Sequence, residues 1–280
     1  MKLPKGPMIS IQEAAELLGQ KNVKFLESKM KPIGAPDNWE TGQKIKGAIQ
    51  MDINADFSEL DTTLPHMLPD ADYFENAAQQ LGINNQDIII VYDQVGVYGS
   101  PRAYWMLKTM GHANVFVLNG GMPAWLAAHL PSESAQWPIS AKGDFIATLD
   151  VERVKTAEKV RDLLSDEKVK VLDARPAGRF HGSVPEPREG LRGGHMPGSA
   201  NLPATEVVNG WYLKSPEELK ELISPLIADG QQLVTTCGSG VTACIIGLAA
   251  EVAGFGDFAV YDGSWSEWGA LSEDFEVVKS

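Results

Sequence analysis

An internal repeat limits most strongly what this chain can fold into. Leu26 corresponds to Leu172, Gly47 to Gly198, Asp93 to Cys237, Gly120 to Gly263 and Trp125 to Trp268, each at an offset of roughly 145 residues. Within each copy, short apolar β-branched runs alternate with stretches of helical apolar spacing. In the first copy, residues 11–20 and 100–111 read as helices, and 23–26, 86–92 and 115–118 as strands. In the second, 154–164 reads as helix, 169–173 and 259–261 as strands, and a further helix closes at Gly254. Strands that are apolar throughout and separated by helices belong to parallel sheets covered on both faces. The expectation is an α/β chain with a first domain over 1–135, a Pro-, Ser- and Ala-rich linker over 136–148 and a second domain over 149–280.

Composition narrows the function. The chain has 280 residues, 44% of them hydrophobic, enough for two cores of ordinary size. A net charge of -13 argues against nucleic acid or an anionic membrane surface as partner, because both demand basic patches. Two cysteines make no disulfide framework and fit a reducing compartment. No apolar run approaches the length of a membrane span, and no apolar segment follows the two N-terminal lysines, so the expected location is the cytoplasm. The histidines are scattered, Cys237 and Cys244 lack Cys-x-x-Cys spacing, and dinucleotide and phosphate-loop fingerprints are absent, so no metal or cofactor is expected.

One stretch carries chemistry. Residues 232–236 read as an apolar strand, Cys237-Gly-Ser-Gly240 as a tight turn, and Val241 onward as a helix that Thr242 is positioned to cap. A cysteine before a helix N-terminus faces unpaired backbone N–H groups and the positive end of the helix dipole, which favour the nucleophilic thiolate. Cys244, inside the apolar helix, reads as core. The first copy has Asp93 where the second has Cys237, and a carboxylate cannot replace a thiolate nucleophile, so only the second copy is expected to be catalytic. The tryptophans and Gly-Gly turns of the first copy read as core and turn residues.

The motif Cys237-Gly-Ser-Gly-Val-Thr242 resembles the active-site loop of the rhodanese-like sulfurtransferases, and within them the members that act on 3-mercaptopyruvate. The resemblance implies two tandem rhodanese-like domains, each a parallel sheet flanked by helices. It also implies that Cys237 forms a persulfide and that the loop residues Gly238, Gly240, Val241 and Thr242 bind substrate, with their amides stabilising anions. A second stretch, Arg179-Phe followed by Pro185-Glu-Pro-Arg188, is similar to the family's substrate-carboxylate clamp, so Arg179 and Arg188 carry over as substrate-binding residues. A guanidinium suits that task because it offers two parallel hydrogen bonds and stays charged when desolvated. His66, in Leu64-Pro-His-Met-Leu-Pro69, resembles the family's active-site histidine, which with Ser239 forms a proton relay. Asn54 stands where the family carries an acid, with Asp52 and Asp56 as neighbouring alternatives. His195 in Gly-His-Met-Pro-Gly matches a structural turn, and Asp173 and Arg175 read as an internal pair.

The expected reaction moves sulfur from 3-mercaptopyruvate through Cys237 to a thiol, thioredoxin or cyanide, releasing pyruvate. Thiosulfate is the alternative donor, although its two charges call for loop cations and none lies between Cys237 and Ala243. A cysteine phosphatase would need arginine at Ala243. A non-enzymatic module would have no use for a nucleophile kept in one copy and lost from the other.

Overall fold

The computed structural model describes residues 3–137 and 141–280. The chain divides into two compact units. Unit 1 is Met1–Leu60, Leu68–Asp150 and Gly210–Leu213; unit 2 is Asp61–Met67, Val151–Asn209 and Lys214–Ser280.

Each unit is built on a five-stranded sheet. In unit 1 the strands are β1 (Met8–Ile9), β2 (Val23–Lys29), β3 (Ile49–Asp52), β4 (Ile88–Tyr92) and β5 (Val115–Leu118), in the order β1-β5-β4-β2-β3 with parallel neighbours. In unit 2 they are β6 (Val154–Lys155), β7 (Val169–Asp173), β8 (Ala200–Asn201), β9 (Gln232–Thr236) and β10 (Phe258–Tyr261), in the order β6-β10-β9-β7-β8, again parallel. The second order is the first with every strand number raised by five, so the sequence repeat is a repeat of topology. Val154–Lys155 is therefore an edge strand, not the start of a helix. Two residues are too few to show an alternating pattern, and the helix begins only after the Thr156 cap.

Helices α1 (Ile11–Leu17), α2 (Ala71–Gln80), α3 (Ser100–Thr109) and α4 (Gly121–Ala127) belong to unit 1. Helices α5 (Ala157–Leu163), α6 (Ala177–Phe180), α7 (Pro216–Ile223), α8 (Val241–Val252) and α9 (Ser264–Trp268) belong to unit 2. Their starts follow sequence chemistry: Ser10 with Glu13, and Ser215 with Glu218, form capping boxes that satisfy otherwise orphaned N–H groups. The repeat tryptophans Trp125 and Trp268 are both fully buried. Their indole N–H groups donate to Pro131 O and Glu276 O, and their rings pack edge-on against Phe25 and against Tyr261 and Phe275. Truncating either to alanine would cost about 3–5 kcal/mol.

The expected linker 136–148 includes residues 138–140, which lie outside the described residues. Its later part packs onto unit 1: Gly143 N–H donates to Gln79 O (2.7 Å), Phe145 N–H to Ile83 O (3.1 Å) and Thr148 N–H to Met110 O (2.9 Å). Burial of Phe145 against Phe74 and His112 holds it there. Unit 1 is also completed by Gly210–Leu213. Leu213 N–H donates to Asn119 Oδ1 (2.9 Å), and a side chain at Gly96 or Gly120 would overlap the Trp211 backbone or the Tyr212 ring.

Candidate active site

Strand β9 is central in its sheet, with β7 and β10 as parallel neighbours, and the register sets Thr236 beside Asp173. Cys237 follows at the carboxyl edge, where open α/β sheets bind ligands, and is buried at 2% exposure. Ser239 is buried at 7%, Val241 is buried, and Gly238 and Thr242 are half-buried. Helix α8 starts at Val241 with Gly240 as its N-cap, in a left-handed conformation at φ 79°, so Thr242 lies inside the first turn and does not cap. A turn of three residues from Cys237 leaves the cap position two residues before the threonine.

Ser264 knits the turn together. Its Oγ accepts from Cys237 N–H (3.2 Å) and Gly240 N–H (3.0 Å) and donates to Tyr261 O (2.8 Å). The Gly240 amide, expected to face the sulfur, is thus bonded to Ser264. Ser264 has φ 50°, costly for a residue with a Cβ, and its repeat counterpart is Gly121 at φ 52°. The three hydrogen bonds offset that strain. Trp265 N–H donates to Cys237 O (3.0 Å), and Gly238 O accepts from both Ser266 N–H (2.9 Å) and Ser266 Oγ (2.5 Å). Neither serine was legible as a site residue, since only the fold brings α9 under the turn.

Both clamp arginines reach this turn. A Cβ built on Gly238 would stand 3.2 Å from Arg179 Nη2 and 3.7 Å from Nη1, so the guanidinium lies directly on the loop. Arg188 Nη1 donates to Ser266 Oγ (3.1 Å), the hydroxyl that holds Gly238 O. Glu186, between them in sequence, has a side chain only 1% exposed and accepts from Arg179 Nε (3.2 Å) and Nη2 (2.5 Å) and from Arg175 Nη1 (3.0 Å). Arg175 is in turn bound to Asp173, with Nη2 2.6 Å from Oδ2, the internal pair read from sequence. His195 is structural: its ring stacks on Phe180 at 3.8 Å and Nδ1 lies 2.9 Å from Phe180 O. Arg192 donates to the Trp268 and Gly269 carbonyls.

His66 sits at φ 63° in the segment Asp61–Met67 that belongs to unit 2. The residues before it, Thr63, Leu64 and Pro65, line a cavity of about 430 Å³ with Arg188, Ser266 and Glu267. Burial raises Glu267 above the usual carboxylate range. Asn54 belongs to unit 1; its N–H donates to Asp52 Oδ1 (3.2 Å) and its Nδ2 lies 3.8 Å from Met30 Sδ. Asp52 is paired with Lys29 at 2.7 Å, and Asp56 is raised by burial and by the neighbouring Asp52 charge.

The equivalent loop in unit 1 is filled by its own side chain. Asp93, fully buried, accepts from Val95 N–H (3.0 Å) through Oδ1, and through Oδ2 from the N–H groups of Tyr98 (2.8 Å), Gly99 (3.1 Å) and Ser100 (3.0 Å) and the Ser100 hydroxyl (2.7 Å). No disulfide joins Cys237 and Cys244. Among the described residues no group of three His, Cys, Asp or Glu side chains is arranged to hold a metal ion, and no helix is long and apolar enough to cross a membrane.

A central parallel strand followed by cysteine, a glycine-bounded turn and a helix, repeated with aspartate in the companion unit, define a tandem α/β fold with one cysteine-centred turn. The rhodanese-like domain description matches residues 10–128 and again 156–271, so the chain belongs to the rhodanese family. The 3-mercaptopyruvate sulfurtransferase of Rattus norvegicus is 43% identical over 238 residues, which is 84% of this chain and 80% of the relative. The thiosulfate sulfurtransferase of Cricetulus griseus is 43% identical over 216 residues, 74% of this chain and 72% of the relative. The crystal structure of SseA from Escherichia coli, described as a 3-mercaptopyruvate sulfotransferase, superposes with a TM-score of 0.83 at 32% identity, covering 94% of this chain and 100% of that one.

Proposed function

We propose that this chain is a 3-mercaptopyruvate sulfurtransferase whose catalytic domain is 149–280, with 1–135 as a non-catalytic companion and 136–148 between them. The observation that carries the reading is the convergence of Arg179 and Arg188 on Gly238, the residue after Cys237. Identity alone does not separate the donors, since relatives of both names stand at 43%. The loop does. A monoanion held by Arg179 beside Gly238 and by Arg188 beside Ser266 presents its sulfur to Cys237, whereas thiosulfate carries two charges next to the attacked sulfur and residues 238–243 add no cationic side chain of their own to those two arginines for departing sulfite.

Cys237 thiolate attacks the donor sulfur. The S–S bond forms as the carbon–sulfur bond breaks, the bond pair passes to the carbon as the enolate of pyruvate, and the donor's thiol hydrogen stays on the new persulfide. The enolate then takes a proton, the step in which His66 and Ser239 serve as the relay. A thiol, thioredoxin or cyanide attacks the outer sulfur and returns Cys237 as thiolate. Gly238, Gly240, Val241 and Thr242 wall the substrate. The site needs no cofactor for these steps, and a reducing compartment such as the cytoplasm keeps the thiol competent. Intact-protein mass spectrometry under non-reducing conditions, after mixing with 3-mercaptopyruvate, tests the reading. One added sulfur, absent from Cys237→Ser, is the expected result; an unchanged mass overturns it.

A further inference from the structure

Resting on that donor reading, we infer that Glu186 sets the charge that the Cys237 loop presents to a sulfur donor, and so selects a monoanionic donor over a dianionic one.

Four side chains form a ladder of alternating sign that starts beside the strand and ends on the loop. Asp173 is the register partner of Thr236, the residue before Cys237. It is bonded along the Nε–Nη2 edge of Arg175, which also donates to Gly194 O (2.8 Å). Arg175 Nη1 passes to Glu186, and Glu186 takes the Nε–Nη2 edge of Arg179. Both inner arginine and carboxylate side chains are sealed from water, Arg175 at 1% and Glu186 at 1%, while Arg179 keeps 16% exposure at the loop end.

Two consequences follow. The first is positional: a guanidinium has two carboxylate-binding edges, and with one held by Glu186 the other is fixed toward Gly238. The second is electrostatic. Two carboxylates cancel two of the three guanidinium groups, so the network at the loop, with Arg188, carries one net positive charge. That matches a carboxylate of charge minus one. A dianion brings a second negative charge that nothing in the ladder neutralises, and the buried Glu186 carboxylate behind Arg179 opposes it.

The experiment compares wild type with Glu186→Gln and Glu186→Asp. It measures kcat/KM for 3-mercaptopyruvate and for thiosulfate, with cyanide as acceptor at fixed low ionic strength, after thermal unfolding confirms the fold. In Glu186→Gln the thiosulfate-to-mercaptopyruvate ratio is expected to rise roughly tenfold, with the mercaptopyruvate loss mainly in KM. Glu186→Asp keeps the charge and is expected to keep the wild-type ratio while both rates fall. A general structural defect would lower both donors together. Competitive inhibition of wild type by pyruvate and by oxalate, similar in size and different in charge, supplies a measurement that needs no variant: pyruvate is expected to bind more tightly. An unchanged ratio in folded Glu186→Gln, or tighter binding of oxalate to wild type, overturns the role of Glu186. Failure of wild type to gain sulfur from mercaptopyruvate overturns the donor reading instead.

Discussion

The Asp93 loop and the Cys237 loop are the same device put to opposite uses. Both follow the central strand of a five-stranded parallel sheet, and both are pinned by the same backbone bond, Met122 N–H to Asp93 O in one and Trp265 N–H to Cys237 O in the other. A turn between strand and helix gathers inward-facing amides, so it stabilises whatever anion lies within it. In unit 1 that anion is the protein's own carboxylate, which takes four amides and a hydroxyl. In unit 2 the residue is a thiol, and Arg179 stands on the loop with Arg188 on the neighbouring Ser266. A cradle that fills itself is structural. One that leaves its anion to be supplied by chemistry is a site.

Breaking the two loops in parallel should separate stability from activity. Cys237→Ser is expected to abolish persulfide formation and turnover while shifting unfolding free energy by no more than about 1 kcal/mol. Cys244→Ser should leave the reaction intact. Asp93→Ala should do the reverse, orphaning buried donors at a cost of roughly 3 kcal/mol or more, read as a lowered melting temperature of unit 1. The next effect in size is the clamp. Arg179→Ala and Arg188→Ala should each raise KM for mercaptopyruvate and cost about 2–4 kcal/mol in kcat/KM, whereas substitution of Arg192 should leave KM unchanged. Smaller again, His66→Ala should slow pyruvate release by roughly 10–100-fold in single-turnover kinetics, and Asn54→Ala by less. An equal loss in Asn54→Ala would mean that an amide orients the imidazole.

The smallest expected effect sharpens the contrast between two buried carboxylates at equivalent strand positions. Asp173 in unit 2 is charge-paired with Arg175, while Glu27 in unit 1 is held by the neutral donors Gln94, Gln50 and Tyr92. Burial raises Glu27 above the usual carboxylate range. The native state then holds its proton more tightly than the unfolded chain, so this contribution to stability is present at pH values below the ordinary carboxylate range and is lost as pH rises through the elevated folded value. Unfolding measured across that window should show the slope in wild type and lose it in Glu27→Gln.

The repeat, the parallel sheets and the placement of Cys237 in a turn between strand and helix were legible because each leaves a local trace: apolar strand runs, paired tryptophans, and glycines around one cysteine. Thr242 misled because cap preference is read from residue type, whereas the left-handed Gly240 caps the helix two residues earlier. Glu186 was visible only as a letter in Pro-Glu-Pro-Arg, since its meaning lies in which guanidinium groups fold around it. Ser264 was hidden for a related reason: its bonds join segments 24 to 27 residues apart and need a backbone conformation that its residue type disfavours. The packing of residues 143–148 onto unit 1 was not legible, because it joins one buried residue, Phe145, to backbone hydrogen bonds with Gln79, Ile83 and Met110 that only the fold brings near.

Unit 1 borrows Gly210–Leu213 from late in the chain, and unit 2 borrows Asp61–Met67 from early in it. Each half of the sequence therefore lacks a short segment of the unit it mostly builds. During synthesis the first sheet can form once β5 has emerged, but the glycines at 96 and 120 wait for Trp211 and Tyr212, about a hundred residues later, before that unit is finished. A chain cut between the halves should give fragments that are each incomplete, and that recover their full resistance to proteolysis only when mixed.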